Sequence, residues 1–211
     1  MNIGAVISNI GGNALSFIII IWLIINYKID KKEIVKAFSG VALSYILAPL
    51  FGAILLSFTT LFVTNPEKSL SLTMFISTGT EELMKCVLYI LIFRGIQRIP
   101  TVIFFGLLFG SIEVFLVGNS FSYSWMFTRN LHFFLHPSFL LIMYYFASKS
   151  NFKDTKVVCF GVFLAIVTHL LNNFLTEYCT VLYPFYFVSL MNFSYFFLKS
   201  NYRRQCGRNS D

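Results

Sequence analysis

Seven apolar runs, roughly 3–27, 37–63, 70–93, 99–118, 129–148, 157–176 and 179–198, fill almost the whole chain and leave only short connections. An α-helix needs about 20 such residues to cross the hydrocarbon of a bilayer. Backbone in hydrocarbon must satisfy its own N–H and C=O groups, which a helix does internally, so runs of this length point to spanning helices. Composition agrees. Of 211 residues, 57% are apolar and 12% charged, with 26 Phe and nine Asp plus Glu, against roughly 45–50% and about 25% in soluble domains. With a mean hydropathy of +0.74, too little polar surface remains to coat a body in water. Disordered, collagen-like and disulfide-scaffold classes fall with the same numbers. The expected fold is an all-α integral membrane protein, a single polytopic domain over residues 1–211 with about seven transmembrane helices.

The net charge of +7 could mark a nucleic-acid binder, but its distribution argues otherwise. Thirteen of the sixteen cations fall in four clusters: Lys28, Lys31, Lys32 and Lys36; Arg94 and Arg98; Lys149, Lys153 and Lys156; and Lys199, Arg203, Arg204 and Arg208. The loops between, around 64–69, 118–128 and 177–184, hold only Lys68 with Glu67, and Glu177. Alternation of basic and non-basic loops is the positive-inside pattern. It predicts a cytoplasmic C-terminus, an outer N-terminus, the bilayer as a partner and no nucleic acid. The first run is too long and too weakly basic at its start for a cleaved signal, and is expected to remain as a helix. The bias toward Lys, Ile, Asn and Phe fits a bacterial plasma membrane. Pro49 and Pro137 fall inside runs and should kink their helices; around Pro137, either one helix or a broken piece at 129–136 followed by a new helix is open. Cys86, Cys159, Cys179 and Cys206 match no zinc spacing, and no internal disulfide is expected.

An ionisable group in hydrocarbon costs at least ~2.5 kcal/mol on insertion scales, so it needs a partner and usually has a job. The polar groups present are the ionisable Glu81, Glu82 and Lys85 in the third run, Glu113 in the fourth, Arg129, His132 and His136 in or near the fifth, and His169 in the sixth, where the neutral amides Asn172 and Asn173 follow it. Residues three or four apart share a helix face. Glu81 with Lys85, His132 with His136, and His169 with Asn173 are such pairs. Glu113 continues a face begun by Gly106 and Gly110, where missing side chains let another helix come close. Counted from the outer ends at ~1.5 Å per residue, Glu81, Glu113, His136, His169 and Asn173 all lie roughly 6–17 Å below the outer surface. Groups from four helices at one level can converge into one pocket.

Such a pocket suits hydrolysis. A low-dielectric site penalises charge, so a carboxyl there can take a proton from water and later give it to a leaving amine. Two adjacent glutamates reinforce this, while Lys85 can keep one of them charged; which of Glu81 and Glu82 is the base stays open. A histidine can orient the water or help bind a metal, and His169 with Asn173 could stabilise an oxyanion. A zinc site through His132, His136 and His169 is possible, although HxxxH without a paired glutamate is a weak pattern. His132 otherwise reads as structural, Asn172 as packing, and Arg129 as a boundary residue.

Glu81-Glu82-Leu83-Met84-Lys85 resembles the EExxK motif of the PrsW-type intramembrane proteases. Phe109-Gly110-Ser111-Ile112-Glu113 is similar to their second motif, Arg129 with His136 to the third, and His169 through Asn173 to the last. The CAAX prenyl protease and bacteriocin-processing relatives match less well, since their motifs would want Arg at Cys86 and His at Glu113. The resemblance covers residues 75–176, within a core of about 70–177. It implies catalytic Glu81, Glu82, Glu113, His136, His169 and Asn173, with Lys85 and Arg129 supporting. It further implies cleavage of a membrane-anchored protein near the outer face, such as site-1 cleavage of an anti-sigma factor. By similarity to the CAAX group it favours a glutamate-activated water with no cofactor over zinc. A proton-coupled transporter and a non-catalytic membrane partner, such as an immunity protein, are the alternative classes.

Overall fold

A computed structural model describes residues 3–60, 66–93, 98–117, 123–179 and 181–207, with side chains undescribed over 3–13, 15, 60, 66–70, 114–117, 123–132 and 200–207. Seven helices run through it: α1 (Ile3–Tyr27), α2 (Lys31–Thr60), α3 (Pro66–Ile92), α4 (Ile99–Val117), α5 (Tyr123–Lys149), α6 (Thr155–Tyr178) and α7 (Tyr183–Gly207), with no strand among the described residues. Each apolar run corresponds to one helix. Two of them, α2 and α6, are long and apolar enough to cross a membrane by composition. Helix α3, at 27 residues, is long enough but carries Glu81, Glu82 and Lys85.

Local sequence explains the ends. Asp30 accepts from the Glu33 N–H at 2.7 Å and opens α2, and Asp154 accepts from Lys156 N at 2.9 Å and opens α6; short carboxylates are preferred helix N-caps. Asn151 and Phe152 turn the chain between α5 and α6 with positive φ. Of the two alternatives at Pro137, the structure takes the single helix: α5 passes through it without a break. Residue 137 would normally donate to the carbonyl of Phe133, and proline has no N–H to give; that carbonyl lies against Gly110 of α4.

Helix α4 sits between α1 and α5, α2 packs on α3, α3 on α6, and α5 on α6 and α7. The closest approach is α4 to α5. A Cβ at Gly106 would stand 2.5 Å from Pro137 Cα, and one at Gly110 2.6 Å from Phe133 Cα, so only glycine permits this contact. It places Glu113, one turn beyond Gly110, beside His136. Hydroxyls join the outer helices to the centre: Ser16 of α1 with Ser111 of α4 at 2.8 Å, and Ser194 of α7 with Ser138 of α5 at 2.9 Å.

The core is largely apolar, built on Tyr89, Phe93, Phe104, Phe105 and Leu140, and it encloses a polar cluster while large apolar side chains also stand on the outside. Glu82, Lys85, His136, His169 and Asn172 are buried, whereas Ile18, Trp22, Ile25, Phe58, Phe185 and Phe196 are exposed. The described basic turns gather at one end. Arg98 donates to the Tyr27 carbonyl at 2.6 Å and meets Glu33, joining the α3–α4 and α1–α2 turns. Phe152 of the α5–α6 turn packs on Tyr144, which packs on Phe197 near Lys199. Arg94 and Arg208 lie outside the described residues, and the side chains of Arg203 and Arg204 do too.

The glycine contact gives a direct expectation. Gly106→Ala should destabilise the detergent-solubilised protein by about 1–3 kcal/mol through overpacking against backbone. Gly79→Ala, whose Cβ would meet nothing within 4 Å, should be neutral or stabilising by up to about 1 kcal/mol. Thermal unfolding of the two variants checks this; equal destabilisation would contradict the close approach.

Candidate active site

Four helices bring their polar groups together. From α3, Lys85 projects into the centre with its side chain fully buried, its Nζ 2.6 Å from Glu82 Oε2, 3.0 Å from His136 Nδ1 on α5 and 3.7 Å from Glu81 Oε1. The ammonium also lies over the Phe109 ring at 4.4 Å, a favourable cation–π placement. The i, i+3 and i, i+4 spacings of one helix put both glutamates within its reach.

Hydrogen-bond chemistry orders the rest. An ammonium has only protons to give, so His136 Nδ1 accepts from Lys85 and its Nε2 carries the proton that goes to Glu113 on α4. His169 of α6 donates through Nδ1 to Glu82 Oε2 at 3.0 Å and lies 3.8 Å from Glu81. Its ring is stacked on Phe139 and stands edge-on to His136, 5.5 Å away. The second oxygen of Glu82 faces the Cys86 thiol at 3.9 Å. Glu82 is therefore enclosed on both oxygens and wholly buried.

Glu81 and Glu113 differ from Glu82. Their side chains keep about a quarter of their surface, 24% and 27%, and both line a cavity of about 580 Å3 between α2, α3, α4 and α6. Asn173 lines the same cavity and donates to Thr78 at 2.9 Å. Oε1 of Glu81 is buried without a hydrogen-bond partner among the described residues. Such an atom is costly unless something else contacts it in use.

Of the residues singled out from sequence, Glu81, Glu82, Lys85, Glu113, His136, His169 and Asn173 thus fall in one cluster. The side chains of Arg129 and His132 lie outside the described residues. Asn172, read from sequence as packing, is fully buried and donates to Asn173 Oδ1 at 3.2 Å, so it fixes the orientation of that amide. Helix α2, which carries none of the site residues singled out from sequence, supplies a cavity wall of Tyr45, Ala48 and Gly52, and Tyr45 stacks on Phe109 while donating to its carbonyl at 2.9 Å. The Ala48 to Gly52 spacing, small residues four apart, is the one signal that could have found that wall.

Among the described residues two donor sets are compact enough for a cation: Glu81, Glu113 and His136, and Glu81, Glu82 and His169, each with ligand atoms within 4.8 Å of one another. Neither fits a dication well. Lys85 already places a positive charge beside Glu82 and His136. Metal at His136 Nε2 would force the ring proton onto Nδ1, where it would face the ammonium donor.

Matched against protein families, curated proteins and solved structures, the chain finds no counterpart in any of them.

Proposed function

We propose that the chain is a polytopic protein of a bacterial plasma membrane that hydrolyses a peptide bond of a membrane-anchored protein, using a glutamate-activated water without metal. The observation that carries the reading is the division of labour among its carboxylates: Glu81 and Glu113 reach the cavity with Asn173, while Glu82 is held behind them by Lys85 and His169. The exposed apolar sheath and the single basic end support a bundle of seven spans with the basic turns in the cytoplasm and the N-terminus outside.

In this scheme a water between Glu81 and Glu113 gives a proton to Glu81, and its oxygen attacks the scissile carbonyl carbon. Asn173, held by Thr78 and Asn172, uses an amide N–H to stabilise the oxyanion. His169, whose Nδ1–H goes to Glu82, positions that carboxylate rather than contacting the oxyanion. The proton on Glu81 passes to the departing amine nitrogen as the C–N bond breaks, leaving an acid and an amine. His136 holds Glu113 toward the water, and Lys85 supplies the fixed positive charge that a metal would supply elsewhere. The resemblance to PrsW-type proteases, on Glu81 through Lys85, Glu113, His136 and His169 through Asn173, agrees with this reading and suggests an anti-sigma factor or similar single-span protein as substrate.

Cleavage of a co-reconstituted single-span substrate tests it. Glu81→Gln should lower the rate about 10²–10⁴-fold with little change in thermal unfolding, and Asn173→Ala should lower kcat about 10²–10³-fold. Unaltered cleavage by Glu81→Gln would reject the mechanism. Exhaustive treatment of the wild-type protein with chelators should leave its rate unchanged; loss of activity restored by zinc would make it a metalloprotease.

A further inference from the structure

A second cavity, of about 590 Å3, lies at the basic end between α1, α4 and α7 and shares no lining residue with the cavity of Glu81 and Glu113. Its lining is apolar over Leu23, Ile99, Ile103 and Leu198, and also includes the exposed cations Arg98 and Lys199 with the exposed tyrosines Tyr27 and Tyr195. Arg98 is tied back by the Tyr27 carbonyl at 2.6 Å and by Glu33 at 3.5 Å, yet its side chain remains 45% exposed. Lys199 is exposed beside the Tyr195 ring, 5.7 Å from its centroid.

We infer that this cavity binds an anionic phospholipid, its phosphate between Arg98 and Lys199 and an acyl chain along the Leu23–Ile103 wall. Charge complementarity selects this occupant. A zwitterionic lipid would fill the wall but leave the net positive charge of Arg98, Lys199 and Glu33 unbalanced, and a free anion would use the cations but leave the wall empty. Basic pockets between helices at the cytoplasmic face are suited to anionic headgroups, and tyrosine rings with one apolar and one polar end belong at that depth. The guanidinium, planar and already fixed by two contacts, loses little freedom on meeting a phosphate. The inference needs the basic end to face a membrane interface and does not rest on the hydrolytic reading.

Native mass spectrometry of the full chain in a neutral detergent, titrated with phosphatidylglycerol, with phosphatidylcholine of the same chains, or with glycerol phosphate, tests it. Phosphatidylglycerol should bind about tenfold more tightly than phosphatidylcholine, and glycerol phosphate should not be retained in the same range. At about a fivefold effect per cation near the surface, Lys199→Gln should weaken phosphatidylglycerol binding and leave phosphatidylcholine unaffected. Ile103→Trp, which narrows the apolar wall where the acyl chain would lie, should weaken both lipids. Arg98→Gln also releases the buried Glu33, so Lys199→Gln and Ile103→Trp decide if that variant fails to fold. Equal binding of the two lipids, retention of glycerol phosphate as firmly as lipid, or a preference unchanged in Lys199→Gln would overturn the inference.

Discussion

A single ammonium buried among aromatic rings organises the centre of this protein. Lys85 reaches Glu82 on its own helix and His136 on another, and through them His169 and Glu113 on two more. Taking such a charge out of water costs several kcal/mol, and attraction offsets that cost only when partners and geometry are good. Here they are supplied by a carboxylate at 2.6 Å, an imidazole at 3.0 Å and the Phe109 ring. The network fixes the proton of His136 on Nε2 and turns Glu82 inward, and those two consequences leave Glu81 and Glu113 to face the cavity.

The network can close only because α4 and α5 come together at Gly106 and Gly110. Proline at 137 removes a donor that the close packing would otherwise have to accommodate, so the two sequence oddities serve one contact. Around this polar centre the outward faces of α1, α2, α6 and α7 are apolar, and α1 and α7 join the core through buried apolar side chains, Ile20 and Leu23 of α1 and Leu190 and Phe197 of α7, together with one hydroxyl pair each.

Much of this was legible in the chain itself. Apolar run length gave seven helices, and i, i+4 spacing placed Glu81 with Lys85 and His169 with Asn173 on common faces. The glycines at 106 and 110 announced where Glu113 would meet a neighbour. What could not be read was rotation. Glu81 and Glu82 are neighbours about 100° apart around α3, and nothing in their own segment says which one points inward until α5 and α6 are in place. The same holds for Asn172, buried against Asn173, and for α2, whose Tyr45 and Gly52 bear no charge to draw notice. At Pro137 the local sequence left a single helix and a break equally open, and α5, packed there against Gly106, is continuous.

The most direct test of the account is a double-mutant cycle on Lys85 and Glu82, followed by unfolding in detergent. Lys85→Met should destabilise by about 3–5 kcal/mol, because it leaves the buried carboxylate uncompensated. Combining it with Glu82→Gln should recover most of that loss. If Lys85→Met alone unfolds like the wild type, the buried ammonium does not organise the site, and the division between Glu81 and Glu82 built on it is wrong.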